Sequence, residues 1–231
     1  MYKLIAIDVD GTLLTKNKKI TTKTKDAIKT ASKLGVKIVL TTGRPEQDGL
    51  KIKVVTPSAA TRKLCFKYGI EVIPTCFIED VAVAFDGCSE ADENLYASKG
   101  GGGVFTKEKI IGTLAKLYIL LIDERKLQMQ LNPQHVVSIE IVKASLGYVS
   151  KMVRNLGGDP AVRTTSSKDG YLITDDGNFI LDIKFANIQD FKQLNDDLND
   201  IAGVIGTSLF IKEVNKLIVA GDQGVRVISR V

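Results

Sequence analysis

The chain has 231 residues, 44% of them hydrophobic, and 32 Lys and Arg against 27 Asp and Glu give a formal net charge of +5. That length allows one large α/β domain or a domain with a smaller companion. No apolar run reaches membrane-spanning length, the start MYKLIAIDVD carries acids inside its apolar stretch and so does not read as a signal or transit peptide, and the scattered lysines form no aromatic-interleaved basic stripe of the kind that binds nucleic acid.

In chain order, Lys3 to Ile7 reads as a short strand ending in Asp8 and continuing Val9-Asp10-Gly11-Thr12. Thr22 to Leu34 reads as a helix with Ala27, Ile28, Ala31 and Leu34 on one face and Gly35 as its stop. Val36 to Leu40 is a buried strand ending in Thr41-Thr42-Gly43-Arg44-Pro45, and Ile52 to Val55 is the next strand. Only ten residues, 42 to 51, separate those two strands. A parallel crossover needs a dozen or more residues, so either the crossover is missing or the two strands are not neighbours in a parallel sheet.

Ser58 caps a helix through Leu64 to Tyr68 that ends at Gly69, and Glu71 to Ile73, Val81 to Phe85 and Tyr118 to Ile122 are strands. Thr106 is placed to cap a helix from Lys107 through Leu114. The alternation predicts an α/β fold with a Rossmann-like, mostly parallel sheet. Beyond Asn132-Pro133 the pattern changes. Val136–Val142, Ala161–Thr165, Tyr171–Thr174, Phe179–Ile183 and Val204-Ile205 read as strands, with helices at Leu146–Leu156 and Phe191–Ile201. This predicts a smaller inserted α+β unit of the ferredoxin-like kind over 133–209, inside a catalytic domain of 1–132 and 210–231. Lys216–Ala220 and Val225–Ile228 read as a hairpin returning to the main sheet, and Asp175-Asp176-Gly177-Asn178 as a turn.

The chemistry gathers between Phe85 and Lys109, FDGCSEADENLYASKGGGGVFTKEK. Asp86 ends a strand, where open α/β sheets place their ligand crevice. Lys99 and the glycines Gly100, Gly101, Gly102 and Gly103 follow; glycines permit positive φ and let a ligand approach backbone N–H groups, which suits an oxyanion or a phosphate. Glu108 falls in the first turn of the next helix. Two carboxylates and a lysine around one anion-friendly loop are the parts of a proton-transfer site. Cys65, Cys76 and Cys88 lack metal-ligand spacing and His135 is the sole histidine, which implies a reduced, cytoplasmic protein without a zinc site.

These residues resemble the type A ribose-5-phosphate isomerases. Asp86-Gly87 opens that family's DGADE motif, Lys99 to Gly103 matches its KGGGG loop, and Lys107-Glu108-Lys109 matches its REK. Asp123-Glu124-Arg125-Lys126, Thr174 to Asp182 and Val219 to Gly221 with Gly224-Val225 extend the resemblance over residues 52–231. It implies interconversion of ribose 5-phosphate and ribulose 5-phosphate through an enediolate, without a cofactor, by a homodimer or homotetramer with a sugar phosphate as its small-molecule partner. It also implies Glu108 as base, Lys99 and the glycine N–H groups of Gly100, Gly101 and Gly102 as oxyanion donors, Asp86 in ring opening or hydroxyl proton transfer, and Lys126 in holding substrate with Gly87. Ser89 departs from the pattern, standing where the family has its second aspartate.

The first 45 residues instead resemble the sugar-phosphatase branch of the haloacid dehalogenase superfamily, through DVDGTLL and LTTGRP. That resemblance implies a magnesium-dependent phosphatase with Asp8 as nucleophile, Asp10 as general acid and Thr42 on the phosphoryl group. Its last motif would need Asn-Asp after Gly221-Asp222, where this chain has Gln223-Gly224. A second alignment places Thr42-Gly43-Arg44-Pro45 on the isomerases' phosphate loop, with Arg44 supplying charge for two lost hydroxyls. A hybrid that binds sugar phosphate without turning it over is a third possibility.

Overall fold

In the computed structural model, residues 4–7, 37–40, 53–165, 169–222 and 224–230 are described, and contacts divide the chain into two units. The first takes Met1–Cys88, Lys107–Leu127 and Glu213–Val231; the second takes Ser89–Thr106 and Gln128–Lys212, and so holds the 89–106 stretch as well as the region after Pro133.

The apolar run at 118–122 becomes β8 (Tyr118–Asp123), a strand at the centre of the first unit with Leu120 fully buried. It pairs in parallel with β5 (Ala84–Asp86) on one side and β15 (Lys216–Gly221) on the other. β16 (Gly224–Ser229) adds antiparallel to β15, giving the order β16–β15–β8–β5. Gly221 and Gly224 are the last pair at this end of the hairpin, and Glu124 Oε1 accepts a hydrogen bond from the Asp222 N–H at 3.2 Å. Val81 reaches the same layer through a parallel bridge to Ala115.

The split between the first strands resolves as non-neighbours. β1 (Leu4–Ile7) pairs in parallel with β2 (Lys37–Leu40), while β3 (Lys53–Val54) pairs in parallel with β4 (Glu71–Val72). The predicted helix over 22–34 lies outside the described residues, as do Asp8, Asp10, Thr42, Gly43 and Arg44. α1 (Ala59–Lys67) starts where the sequence places it: the Ser58 hydroxyl accepts from the Thr61 N–H at 3.2 Å, and Gly69 leaves the helix at φ +69°. α2 (Phe105–Leu114) begins two residues before the predicted start. Thr106 is thus inside the helix and not its cap; its hydroxyl oxygen is buried with no hydrogen-bond partner.

The second unit holds two sheets. In sequence order, β10 (Val137–Ile141), α3 (Leu146–Asn155), β11 (Gly158–Val162), β12 (Phe179–Phe185), α4 (Phe191–Asn199) and β13 (Val204–Thr207) form a βαββαβ unit, with antiparallel sheet order β11–β12–β10–β13. That is the ferredoxin-like arrangement. Val137, Ile139 and Ile141 from β10 join Leu181 and Ile183 from β12, Val149 and Val153 from α3, and Phe191 and Leu198 from α4 in one buried cluster. Each such side chain contributes roughly 1.5–3 kcal/mol of burial.

Two strand assignments shift. β11 begins at Gly158, three residues before the expected Ala161, and runs through Pro160. It is an edge strand, where a missing N–H is tolerated. Tyr171 to Thr174 forms no strand, only bridges from Tyr171 to Thr164 and from Ile173 to Phe179, and both side chains stand half in solvent, where pairing buries little. The second sheet has the order β14–β7–β6–β9, from β6 (Glu90–Asp92), β7 (Ala97–Ser98), β9 (Leu127–Gln128) and β14 (Leu209–Phe210).

Candidate active site

Within the first unit, parallel pairing sets Ala84 opposite Tyr118 and Asp86 opposite Leu120. Asp86 and Tyr118 are therefore diagonal neighbours on one face, a separation that a tyrosine spans. The Tyr118 hydroxyl donates to Asp86 Oδ2 at 2.8 Å, and the Gly87 N–H donates to Asp86 Oδ1 at 2.8 Å. α2 packs over this face through Gly112, whose absent side chain leaves room for the Tyr118 ring. Glu108 sits one turn before Gly112, on the same helical face. Burial first, then the charges of Asp86 and Glu108, push the Tyr118 phenol well above its ordinary range, so both carboxylates act on one hydroxyl. Lys126, in the short turn after β8, donates from Nζ to the Cys88 carbonyl at 2.8 Å. The first unit thus brings together Asp86, Gly87, Glu108 and Lys126.

Within the second unit, the stretch from Ser89 to Ser98 that leads into Lys99 proves to contain a hairpin. β6 and β7 pair antiparallel, Glu90 with Ser98, and the Ser89 N–H donates to the Ser98 carbonyl at 2.9 Å. This sets exposed Ser89 beside the backbone leading into Lys99. The turn is organised by fully buried Asp92, whose Oδ1 accepts from the N–H groups of Asn94 and Tyr96 at 2.9 and 3.0 Å. Burial pushes its carboxyl up despite those bonds.

Lys99 is 7% exposed, with its Nζ 5.6 Å from the Phe210 ring centroid. Its N–H donates to the Ser208 carbonyl at 2.9 Å. Of the four glycines that follow, Gly103 alone takes a positive φ, +69°. Gly100 is required for a different reason: a Cβ there would stand 2.6 Å from Ser138 Oγ. Gly101 is exposed and has nothing within 4 Å of a Cβ, so no side-chain clash selects glycine there.

A polar network seats this loop, and sequence inspection had not singled out its members Arg163 and Ser138. Along β10, Val137, Ile139 and Ile141 enter the core while Ser138 and Glu140 take the opposite face, both still buried. Ser138 pairs in register with Asp182 of β12 and donates to its Oδ1 at 2.7 Å. Arg163 donates from Nε to Asp182 Oδ2 at 2.8 Å, from Nη2 to Asp182 Oδ1 and Ser138, and from Nη1 to the Gly100 carbonyl at 2.7 Å. Burial alone would raise the Asp182 carboxyl, but the bonds from Arg163 and Ser138 outweigh it and hold it below the usual carboxylate range. The signal was present: a serine and an aspartate interrupting apolar alternation mark a buried polar face.

The acidic segment after Thr174 is a turn, as its residues predict. The Gly177 N–H donates to the Thr174 carbonyl at 2.9 Å and Gly177 takes φ +86°. Buried Glu140 ties it down, accepting from Thr174 Oγ1 and Asn178 Nδ2 at 2.8 and 2.9 Å. Among the described residues, no group of three or more His, Cys, Asp or Glu side chains is gathered closely enough to hold a metal ion. Likewise no described helix is long and apolar enough to cross a membrane.

Comparison with known proteins matches residues 53–224 to the family model for ribose 5-phosphate isomerase A (phosphoriboisomerase A), and residues 5–54 to that for haloacid dehalogenase-like hydrolase. The chain is 33% identical over 188 residues to a ribose-5-phosphate isomerase A from Methanocaldococcus jannaschii, covering 81% of this chain and 82% of that one. It is 35% identical over 156 residues to the Thermosynechococcus vestitus enzyme of the same name, 68% of this chain and 66% of that one. A solved D-ribose-5-phosphate isomerase in complex with phospho-erythronic acid superposes on the whole chain with a TM-score of 0.76 at 29% identity, covering 93% of that structure. From residue 53 to residue 224 the motifs and these likenesses agree, and the chain belongs to the ribose 5-phosphate isomerase A family.

Proposed function

We propose that this protein interconverts ribose 5-phosphate and ribulose 5-phosphate by moving a proton between C1 and C2 through an enediolate. The observation that carries the reading is the hydrogen bond from the Tyr118 hydroxyl to Asp86 at the carboxyl end of β5, with the Glu108 charge acting on the same phenol, in a chain of this family. Glu108 is the base; its place in the first turn of α2 favours the ionised form. Asp86 serves ring opening and hydroxyl proton transfer. Lys99 and the N–H groups of Gly100, Gly101 and Gly102 stabilise the oxyanion as it develops. Lys126 and Gly87 hold the sugar, with Ser89 beside them in role. Thr42, Gly43 and Arg44 take the phosphate, the guanidinium binding it bidentately. The reaction is redox-neutral proton transfer, and these groups suffice for it without a metal or cofactor. Family membership supports action on a small-molecule sugar phosphate, as a homodimer or homotetramer in the cytoplasm.

The test is a coupled isomerase assay on the wild type and on Glu108→Gln. The substitution keeps size and removes the base, so kcat should fall by ~10²–10⁴ while the fold persists. Turnover retained in the variant removes Glu108 from the mechanism.

The match of residues 5–54 to a haloacid dehalogenase-like hydrolase supports a second activity, magnesium-dependent phosphate release with Asp8 as nucleophile and Asp10 as acid. We rank it second, because the segment is short and Gly221-Asp222 closes a hairpin instead of opening a metal motif.

A further inference from the structure

We propose that Tyr118 is a positioning residue for the reaction, locking the Asp86 carboxylate into one orientation through its hydroxyl. The inference rests on the isomerase reading above and adds to it a buried residue that acts through Asp86. Four observations in the first unit carry it. The phenol donates to Asp86 Oδ2 at 2.8 Å while the Gly87 N–H holds Oδ1 at 2.8 Å, so the carboxylate is fixed from both oxygens and cannot swing. The phenol is itself immobile, with Tyr118 1% exposed. The backbone of Tyr118 is clamped on both sides by Asn215, whose Oδ1 accepts from the Tyr118 N–H at 2.6 Å and whose N–H donates to the Tyr118 carbonyl at 2.9 Å. The ring lies in a slot shaped for it: at Gly112 a Cβ would stand 2.8 Å from Tyr118 Cε1 and 2.9 Å from Cδ1.

A glycine inside a helix costs about 1 kcal/mol relative to alanine. Here it admits the ring beneath α2, in line with Glu108 one turn earlier. The groups acting on the phenol are Asp86 and Cys88 from the end of β5 and Glu108 from α2, with the Lys126 ammonium on the Cys88 carbonyl beside them. Burial opposes ionisation of the hydroxyl most, and the acidic groups Asp86, Glu108 and Cys88 oppose it further. It therefore keeps its proton throughout the neutral range and works as a fixed donor, not as a proton carrier. A carboxylate that must take and return a substrate proton gains from such fixing, since misplacement by an ångström is costly in rate.

The experiment is steady-state kinetics on ribose 5-phosphate for the wild type, Tyr118→Phe, Asp86→Asn and the double variant. Phenylalanine keeps the ring in its slot and removes only the donor. kcat should fall ~10-fold or more, as for loss of a hydrogen bond to a charged group, with KM changed by less than ~3-fold. In the Asp86→Asn background the same substitution should change kcat by less than ~2-fold, because the group it positions is gone. Gly112→Ala is the second probe: it retains the hydroxyl but forces the ring off its place, and should lower kcat as Tyr118→Phe does. Equal kcat in wild type and Tyr118→Phe, or the same loss in both Asp86 backgrounds, overturns the positioning role alone. A wild type with no isomerase turnover overturns the isomerase reading and this inference together.

Discussion

Arg163 donates from Nη1 to the carbonyl oxygen of Gly100 at 2.7 Å, across 63 residues of sequence. Its other two nitrogens are spent on Asp182, so the guanidinium ties β12 to the first glycine of the KGGGG loop. That bond commits the Gly100 carbonyl and fixes the entry to the loop whose N–H groups we propose as oxyanion donors.

Replacing that guanidinium tests the link. Arg163→Met should destabilise the protein by about 1–3 kcal/mol, since it strands the Asp182 carboxylate and the Gly100 carbonyl. It should also lower kcat more than it raises KM. The pH dependence has a definite sign. Asp182 is held below its unfolded value, so its contribution is present above about pH 4 and is lost as pH falls through the folded value. Partial exposure of the pair keeps the effect modest. Urea denaturation of wild type and variant should therefore show a gap near pH 7 that narrows towards acid; a gap constant with pH removes the ion pair as its cause.

The glycines of the loop should not be equivalent. Gly100→Ala would press a methyl to 2.6 Å from Ser138 Oγ and should cost about 1–3 kcal/mol, with loss of activity. Gly101→Ala meets nothing within 4 Å and its backbone is not left-handed, so stability should change by less than about 0.5 kcal/mol. Thermal denaturation of both variants decides this, and equal penalties would mean that the Ser138 contact is not what selects glycine.

Ser89 is set beside the chain entering Lys99 by the β6–β7 hairpin. A hydroxyl hydrogen-bonds but holds no charge near neutral pH. Ser89→Asp should raise kcat by ~10-fold or more, with a smaller change in KM, because the added carboxylate acts on the transition state. An active wild type whose kcat is unchanged by the substitution would mean that the second carboxylate is dispensable here.

Asp8→Asn separates the two families joined in this chain. Isomerase turnover should change by less than ~2-fold, since Asp8 has no part in enediolate chemistry. Phosphate release that requires magnesium and disappears in the variant would place a phosphatase in residues 5–54 and reverse the ranking above.

Local sequence determined much of this protein. The cap at Ser58, the left-handed exits at Gly69 and Gly157, the turn at Gly177 and, apart from the extra strand expected at Tyr171, the succession of strands and helices after Pro133 follow from hydrophobic period and backbone chemistry, which act over a few residues. Asp86 at a strand end and Glu108 in a first helical turn were legible for the same reason. Tertiary structure alone decided what those residues touch. Parallel register put the Tyr118 hydroxyl on Asp86 from 32 positions away, and the pairing of β10 with β12 put Ser138 against Asp182. It also decided which glycine needs a turned backbone and which needs empty space, a distinction between Gly103 and Gly100 that the run of four identical letters does not contain. Contacts between distant segments depend on strand order and register, and those are settled by burying whole faces at once rather than by any single stretch of chain.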